Sequence, residues 1–117
     1  MSSVKAFRKS ASELREVAPG HGSCIASDEI TVGGKPVGYM YREEPDNEHD
    51  SGWRFFSGAE SQEYADDATN FAIYDVNTIA NYDPGIVSLL WAPIGSAYGR
   101  NERGELVPEQ FTGGSDV

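Results

Sequence analysis

The sequence has few cysteines, few cations and no long apolar run, and each scarcity excludes a class of function. The one cysteine among 117 residues, Cys24, allows no internal disulfide or cysteine-based metal site and favours a reducing cytoplasm. The longest apolar runs, such as 89–92, are too short for a transmembrane helix. Nine basic and nineteen acidic side chains give a net charge of −10, which argues against binding a bare nucleic-acid backbone or an anionic membrane.

The N-terminal region also lacks an apolar segment. Its first 17 residues carry Lys5, Arg8, Lys9 and Arg15, which is not the pattern of a secretory signal. The length of the chain fits one domain. Six Tyr, five Phe and two Trp can fill a modest core with few residues.

The negative charge is concentrated in the middle of the chain. Residues 28–83 hold thirteen acidic and three basic side chains, so this stretch carries the whole excess. The first acidic cluster spans 43–50, and the second comprises Glu60, Glu63, Asp66 and Asp67. Neither cluster is an unbroken run of like charge, so we expect loops on a folded body rather than a disordered tail.

Alternating apolar residues between turn signals predict a series of short strands. We expect strands at 23–27, 37–43, 53–56, 71–74, 96–100 and 106–107, with a brief extended piece at 30–32. Gly33-Gly34 predicts a hairpin-type turn. One helical pattern follows the capping box Ser10–Glu13, and two more cover 77–82 and 84–90. Asp83, just before Pro84, is the expected cap of the last helix. The polar stretch 60–68 predicts a turn or a short helix.

This order of elements predicts an α+β fold, a single domain with a mainly antiparallel sheet and a few short helices. We expect one core, to which Tyr39, Trp53, Phe55, Ile73 and Leu89 or Leu90 contribute. The predicted organisation is an N-terminal extension with a short helix at 1–21, the α+β domain at 22–108, and a flexible tail at 109–117.

No motif in the sequence predicts catalysis, a metal or a cofactor. Asp46, Glu48 and Asp50 have the spacing that begins a calcium-binding EF-hand loop, but Ser51 stands where that loop needs glycine. Its twelfth position also lacks the glutamate. His21 and His49 are isolated candidate ligands. Cys24 lies among apolar residues and is expected to pack as a small hydrophobe.

Acidic loops beside aromatic strands are compatible with a protein-binding surface for a basic partner. We expect a basic protein partner, because nearby carboxylates repel one another unless a cation relieves the repulsion. The predicted contacts are Tyr41, Glu43, Glu44, Asp46, Glu48, Asp50, Trp53, Asp66 and Asp67, with Glu60 and Glu63 in support. The alternative is that these charges only keep a small protein soluble.

Residues 37–58 read VGYMYREEPDNEHDSGWRFFSG and resemble the Immunity protein 33-like family of bacteria, formerly a domain of unknown function. The similarity begins near 24–28 and continues through 73–84 and 95–98, so it covers roughly residues 22–108. The resemblance implies a small α+β domain without a known catalytic residue set, which binds and neutralises a cognate toxin. The alternatives are an interaction domain with a housekeeping partner and a carboxylate or metal enzyme.

Overall fold

A six-stranded sheet organises residues 5–110 of the chain, with the core and three of the short helices on one face. The structure is a computed structural model and describes residues 5–110. Its strands are β1 (Ser23–Ser27), β2 (Tyr39–Arg42), β3 (Asp50–Phe56), β4 (Phe71–Asp75), β5 (Ala97–Arg100) and β6 (Leu106–Pro108). The α-helices are α1 (Asp28–Thr31), α2 (Gln62–Ala65) and α3 (Val76–Tyr82), and 3-10 helices cover Ala11–Glu13, Ala68–Asn70 and Pro84–Leu89.

The strands lie in the order β4-β1-β3-β2-β5-β6. Only one pair of neighbours, β1 with β3, is parallel; the other four pairs described are antiparallel. The predicted α+β class with a mainly antiparallel sheet is therefore confirmed.

The core lies between the sheet and the helices α1, α3 and Pro84–Leu89. Trp53, Phe55 and Met40 project into it from the strands, and Leu90 closes it from the helical side. The Trp53 indole N–H donates to the Leu90 carbonyl oxygen at 3.2 Å, so the one polar atom of this ring has a partner. The expected core roles of Trp53, Phe55 and Leu90 are confirmed.

The expected core role of Ile73 is wrong. Ile73 is 73% exposed, because the alternation along β4 turns Tyr74 toward the core and Ile73 toward the opposite face. Tyr39 is half-buried on that same opposite face, since its neighbour Met40 points into the core.

The segment 28–34 differs from its prediction. It forms α1 rather than an extended piece, because the Ser27 hydroxyl accepts the Glu29 amide N–H at 3.1 Å and caps the helix. The two glycines end this helix, and Gly34 alone takes a positive φ, of 78°. They do not form a hairpin turn, since β1 and β2 are not neighbours in the sheet.

The predicted caps at the other helices are present. Asp83 accepts the Gly85 amide N–H before Pro84–Leu89, and the Ser10 amide N–H donates to Glu13 across a single 3-10 turn. The segment before β1 packs along α3, where the Asn77 and Asn81 amides both donate to the Arg15 carbonyl oxygen. Residues 111–117 of the predicted tail lie outside the described residues.

Candidate protein-binding surface

The face of the sheet opposite α1, α3 and Pro84–Leu89, here called the open face, carries the candidate site. Strand register places Ile73 opposite Ile25, Ile25 opposite Arg54, and Arg54 opposite Tyr41. One row of side chains therefore crosses four strands. It begins with two isoleucines, passes a cation and ends at an aromatic ring.

Aromatic rings form a second line across the open face. Tyr41 and Phe56 stack with ring centroids 5.7 Å apart. Phe56 meets Phe71 edge-on at 5.7 Å, and Phe71 meets Tyr64 of α2 at 6.1 Å. Such pairs are each worth about 0.5–1.5 kcal/mol beyond their buried area, so this line of rings is a stable support for a surface.

Arg54 is the buried charge of this face, with a side chain only 3% exposed. Its Nε donates to Glu43 Oε2 at 2.6 Å, and its Nη1 and Nη2 donate to the two oxygens of Asp50 at 3.0 and 2.8 Å. Nη1 also donates to the Trp53 carbonyl oxygen at 3.1 Å. Asp46 is more distant, 3.8 Å from Nη2, and its side chain is 78% exposed.

The ion pair between Arg54 and Asp50 shifts both pKa values toward the charged forms. The hydrogen bonds from Arg54 lower the pKa of Asp50 well below its usual range, against the opposing effect of burial. Burial acts to lower the pKa of Arg54, but the hydrogen bonds to Asp50 and Glu43 outweigh it and raise that pKa. A buried arginine is thereby neutralised by the two ends of the acidic loop 43–50.

Part of the charge in this loop therefore serves the fold itself. Asp50 and Glu43 compensate a buried cation, and the Asp50 side chain is only 7% exposed. The charges that remain available to a partner are those of Glu44, Asp46 and Glu48, all exposed.

Trp53 cannot serve as an aromatic anchor. Its side chain is fully buried in the core, since it lies on β3 with the opposite parity to Arg54. Tyr41, the other aromatic residue among the predicted contacts, is half-buried on the open face, where burial raises its pKa. The alternation along β3 is the sequence signal that places Trp53 and Arg54 on opposite faces of the sheet.

The second acidic cluster lies at another border of the open face. Glu60 accepts the amide N–H groups of Ser57 and Gly58 at 2.8 and 3.0 Å, which fixes the start of this segment. Asp67 caps the helix Ala68–Asn70. Glu63 is exposed on α2, and Asp66 is exposed at the C-terminal end of that helix.

Two grooves lie on the open face, and Glu60 of the second acidic cluster lines the first of them. A groove of about 430 Å³ is lined by Gly38, Tyr39, Tyr41, Phe56, Gly58, Glu60, Ala65, Arg100 and Glu109. A second, of about 350 Å³, is lined by Ile25, Ala65, Ala68, Phe71, Ala72 and Ile73. The two acidic clusters are separate in the sequence, whereas in the fold both lie beside the apolar side chains of the open face.

The structure also places the cysteine and the two histidines singled out in the sequence. Cys24 is 1% exposed and burial raises the pKa of its thiol, so its predicted role as a small hydrophobe is confirmed. Within residues 5–110, no group of three or more His, Cys, Asp and Glu side chains is placed to hold a metal ion. His21 packs at a tilt against the exposed Trp91, with ring centroids 4.6 Å apart, and His49 lies in the acidic loop. No helix between residues 5 and 110 has the length and apolar character needed to cross a membrane.

These features define a small α+β domain with an acidic, partly apolar surface on one face of its sheet. The family model of the Immunity protein Imm33 domain matches residues 24–110, and the chain belongs to this family. The resemblance inferred from the sequence over residues 22–108 is thereby confirmed. No curated protein and no solved structure matches the chain.

Proposed function

We propose that this protein is an immunity protein that binds a cognate bacterial toxin in the cytoplasm and blocks it by direct contact, without catalysis. The observation that carries the proposal is the match to the Imm33 domain over residues 24–110. The chemistry of the surface supports a toxin of basic character, because the chain has a net charge of −10.

The acidic loop is suited to meeting such a toxin. Arg54 binds Glu43 and Asp50 at the two ends of the loop, so the exposed carboxylates between them are held in place before any partner arrives. A preorganised loop loses less conformational entropy on binding. Complementary charge can raise the association rate toward ~10⁸–10⁹ M⁻¹s⁻¹ at low salt, which favours rapid capture of a toxin.

The function is tested by recovering the partner and measuring its toxicity. The tagged protein is purified from its native cells, and the gene of each co-purified protein is expressed alone and together with this chain. We expect one partner that stops growth when expressed alone and is harmless with the immunity protein present. Partners without toxicity would reject the immunity role and favour a housekeeping interaction domain.

The loop is tested by neutralising only its exposed carboxylates. The variant Glu44→Gln/Asp46→Asn/Glu48→Gln should associate several-fold more slowly with the toxin at low salt, and the difference should shrink at high salt. The control Glu16→Gln/Glu102→Gln/Glu105→Gln removes equal charge from exposed positions outside the loop. Equal slowing by both variants would show that net charge alone matters.

A further inference from the structure

The most exposed apolar residue of the sheet is Ile73, in the middle of β4. It is 73% exposed, pairs with Ile25 of β1, and shares the open face with Phe71, two residues earlier. We call these three residues the open-face patch. A β-branched residue in mid-strand is normally buried, and contiguous exposed apolar surface is typical of binding sites.

The open-face patch lies between the two acidic clusters. On one side, Ile25 and Ile73 share a depression with Asp46, Asp50 and Arg54. On the other side, the whole patch lines a groove with Ala65 and Ala68, the residues that flank Asp66 and Asp67. The sequence gives no sign of this arrangement, because these residues are spread over 25–73.

The charged side chains that line the two depressions beside the patch are two carboxylates, Asp46 and Asp50, and Arg54. Lys5 also lies beside the patch, where its Nζ donates to the Phe71 carbonyl oxygen at 3.4 Å and pairs with Asp28 at 2.8 Å. Among the described residues that line the two depressions, Arg54 is the one cation, and Glu43 and Asp50 already neutralise it. A second copy of this chain would bring like-charged borders together, which costs free energy at an interface. An apolar centre with carboxylates on both sides is complementary to a basic polypeptide.

Building on the immunity role, we propose that the open-face patch is the centre of the toxin interface. It binds a basic segment of the toxin, whose apolar side chains contact Ile73 and Ile25 while its lysines or arginines face the exposed carboxylates of the two clusters. The acidic loop then accelerates the encounter, and the patch determines how long the complex lasts. Buried apolar contacts at the centre of an interface usually dominate its affinity.

The binding chemistry of the patch is tested with two synthetic nine-residue peptides, one alternating Lys and Val and one alternating Lys and Ser. Both carry the same charge, so they separate apolar contact from electrostatic attraction. We expect the Lys/Val peptide to bind at least about tenfold more tightly, with amide NMR shifts concentrated at Ile25, Phe71 and Ile73. Equal affinities, absence of binding, or shifts centred elsewhere would overturn the proposal.

Matched variants locate the contact. Ile73→Ser should weaken the Lys/Val peptide about tenfold and leave the Lys/Ser peptide unchanged. Val17→Ser is the control, since Val17 is 42% exposed and lies beside α3 on the helical side of the sheet. Ile73→Val should retain binding, and unchanged urea midpoints will establish that all variants fold. Equal effects of Ile73→Ser and Val17→Ser would refute the location.

Two further measurements distinguish this proposal from a purely electrostatic contact and from self-association of the chain. With the recovered toxin, Ile73→Ser should raise the dissociation rate about tenfold, whereas the acidic-loop variant should mainly lower the association rate. Sedimentation should show a monomer; a dimer that Ile73→Ser dissociates would assign the patch to a second copy instead. The peptide experiments need no toxin, so they test the open-face patch independently of the immunity role.

Discussion

Replacing Asp50 by Asn is the sharpest test of how the acidic loop is held. Asp50 accepts hydrogen bonds from Nη1 and Nη2 of Arg54 and from the amide N–H groups of Asp46 and Gly52. Asparagine has nearly the same shape but no charge, and one of its two acceptor oxygens becomes an N–H donor. Arg54 would then keep Glu43 as its remaining close carboxylate while staying 3% exposed.

The expected loss of stability follows from this geometry. Removing one partner of a buried ion pair costs about 3–5 kcal/mol, and the surviving contact with Glu43 places the cost of Asp50→Asn at the low end, about 3 kcal/mol. Asp46→Asn is the matched control on the same loop and toward the same arginine. Because Asp46 is 78% exposed and 3.8 Å from Nη2, its loss should cost below about 0.5 kcal/mol.

Urea denaturation at pH 7 and pH 3 measures the loss of stability in both variants. At a slope of about 1.5 kcal/mol per M, the Asp50→Asn midpoint should fall by about 2 M at pH 7. The pKa of Asp50 is lower in the folded than in the unfolded chain, so its contribution is complete above about pH 4 and declines as pH falls toward the folded value. The difference in free energy of unfolding between the wild type and Asp50→Asn should therefore be about 1 kcal/mol smaller at pH 3 than at pH 7. Equal midpoints for the Asp50 and Asp46 variants at pH 7 would refute the reasoning.

Three further outcomes are expected. Phe55→Ala should lower the free energy of unfolding by about 3–5 kcal/mol in urea, because the ring is fully buried, and a loss below about 1 kcal/mol would contradict that burial. The Cys24 thiol should react with Ellman's reagent far more slowly in the native protein than in urea, and equal rates would show that the site opens freely. Gly52→Ala should reduce the thermal midpoint more than Gly104→Ala: both have positive φ, but only at Gly52 would a Cβ overlap a neighbour, the Glu43 carbonyl oxygen. Equal decreases in thermal midpoint for the two variants would mean that the backbone around Gly52 shifts to accommodate the added Cβ.

All six strands were predictable from the sequence because each is short, rich in apolar or β-branched residues and bounded by turn residues. The caps at Asp83 and Ser10 were predictable for the same local reason, since a capping side chain acts within three residues of its own position. What was predicted least well is the segment after β1, where a helix cap at Ser27 outweighs the strand tendency of Ile30 and Val32.

The faces of the strands were harder to predict than their positions. In β4 the residues Phe71 to Tyr74 are all apolar, so alternation does not reveal which side meets the helices. In β3 a signal was present: Asp50 and Arg54 have one parity, and Trp53 and Phe55 have the other. That parity predicts an ion pair on one face and a core on the other. The position of the acidic clusters beside Ile73 depends on long-range pairing, which no local pattern contains.

The order of the strands also makes the acidic loop an unusual place to cut the chain. A break between Asp46 and Asn47 would leave β1 and β2 on one fragment and β3 to β6 on the other. In the sheet, β1 lies between β4 and β3, and β2 lies between β3 and β5. Each strand of the first fragment is thus held on both sides by strands of the second. A protease that nicks this exposed loop would leave two interleaved halves that migrate as one particle until a denaturant separates them.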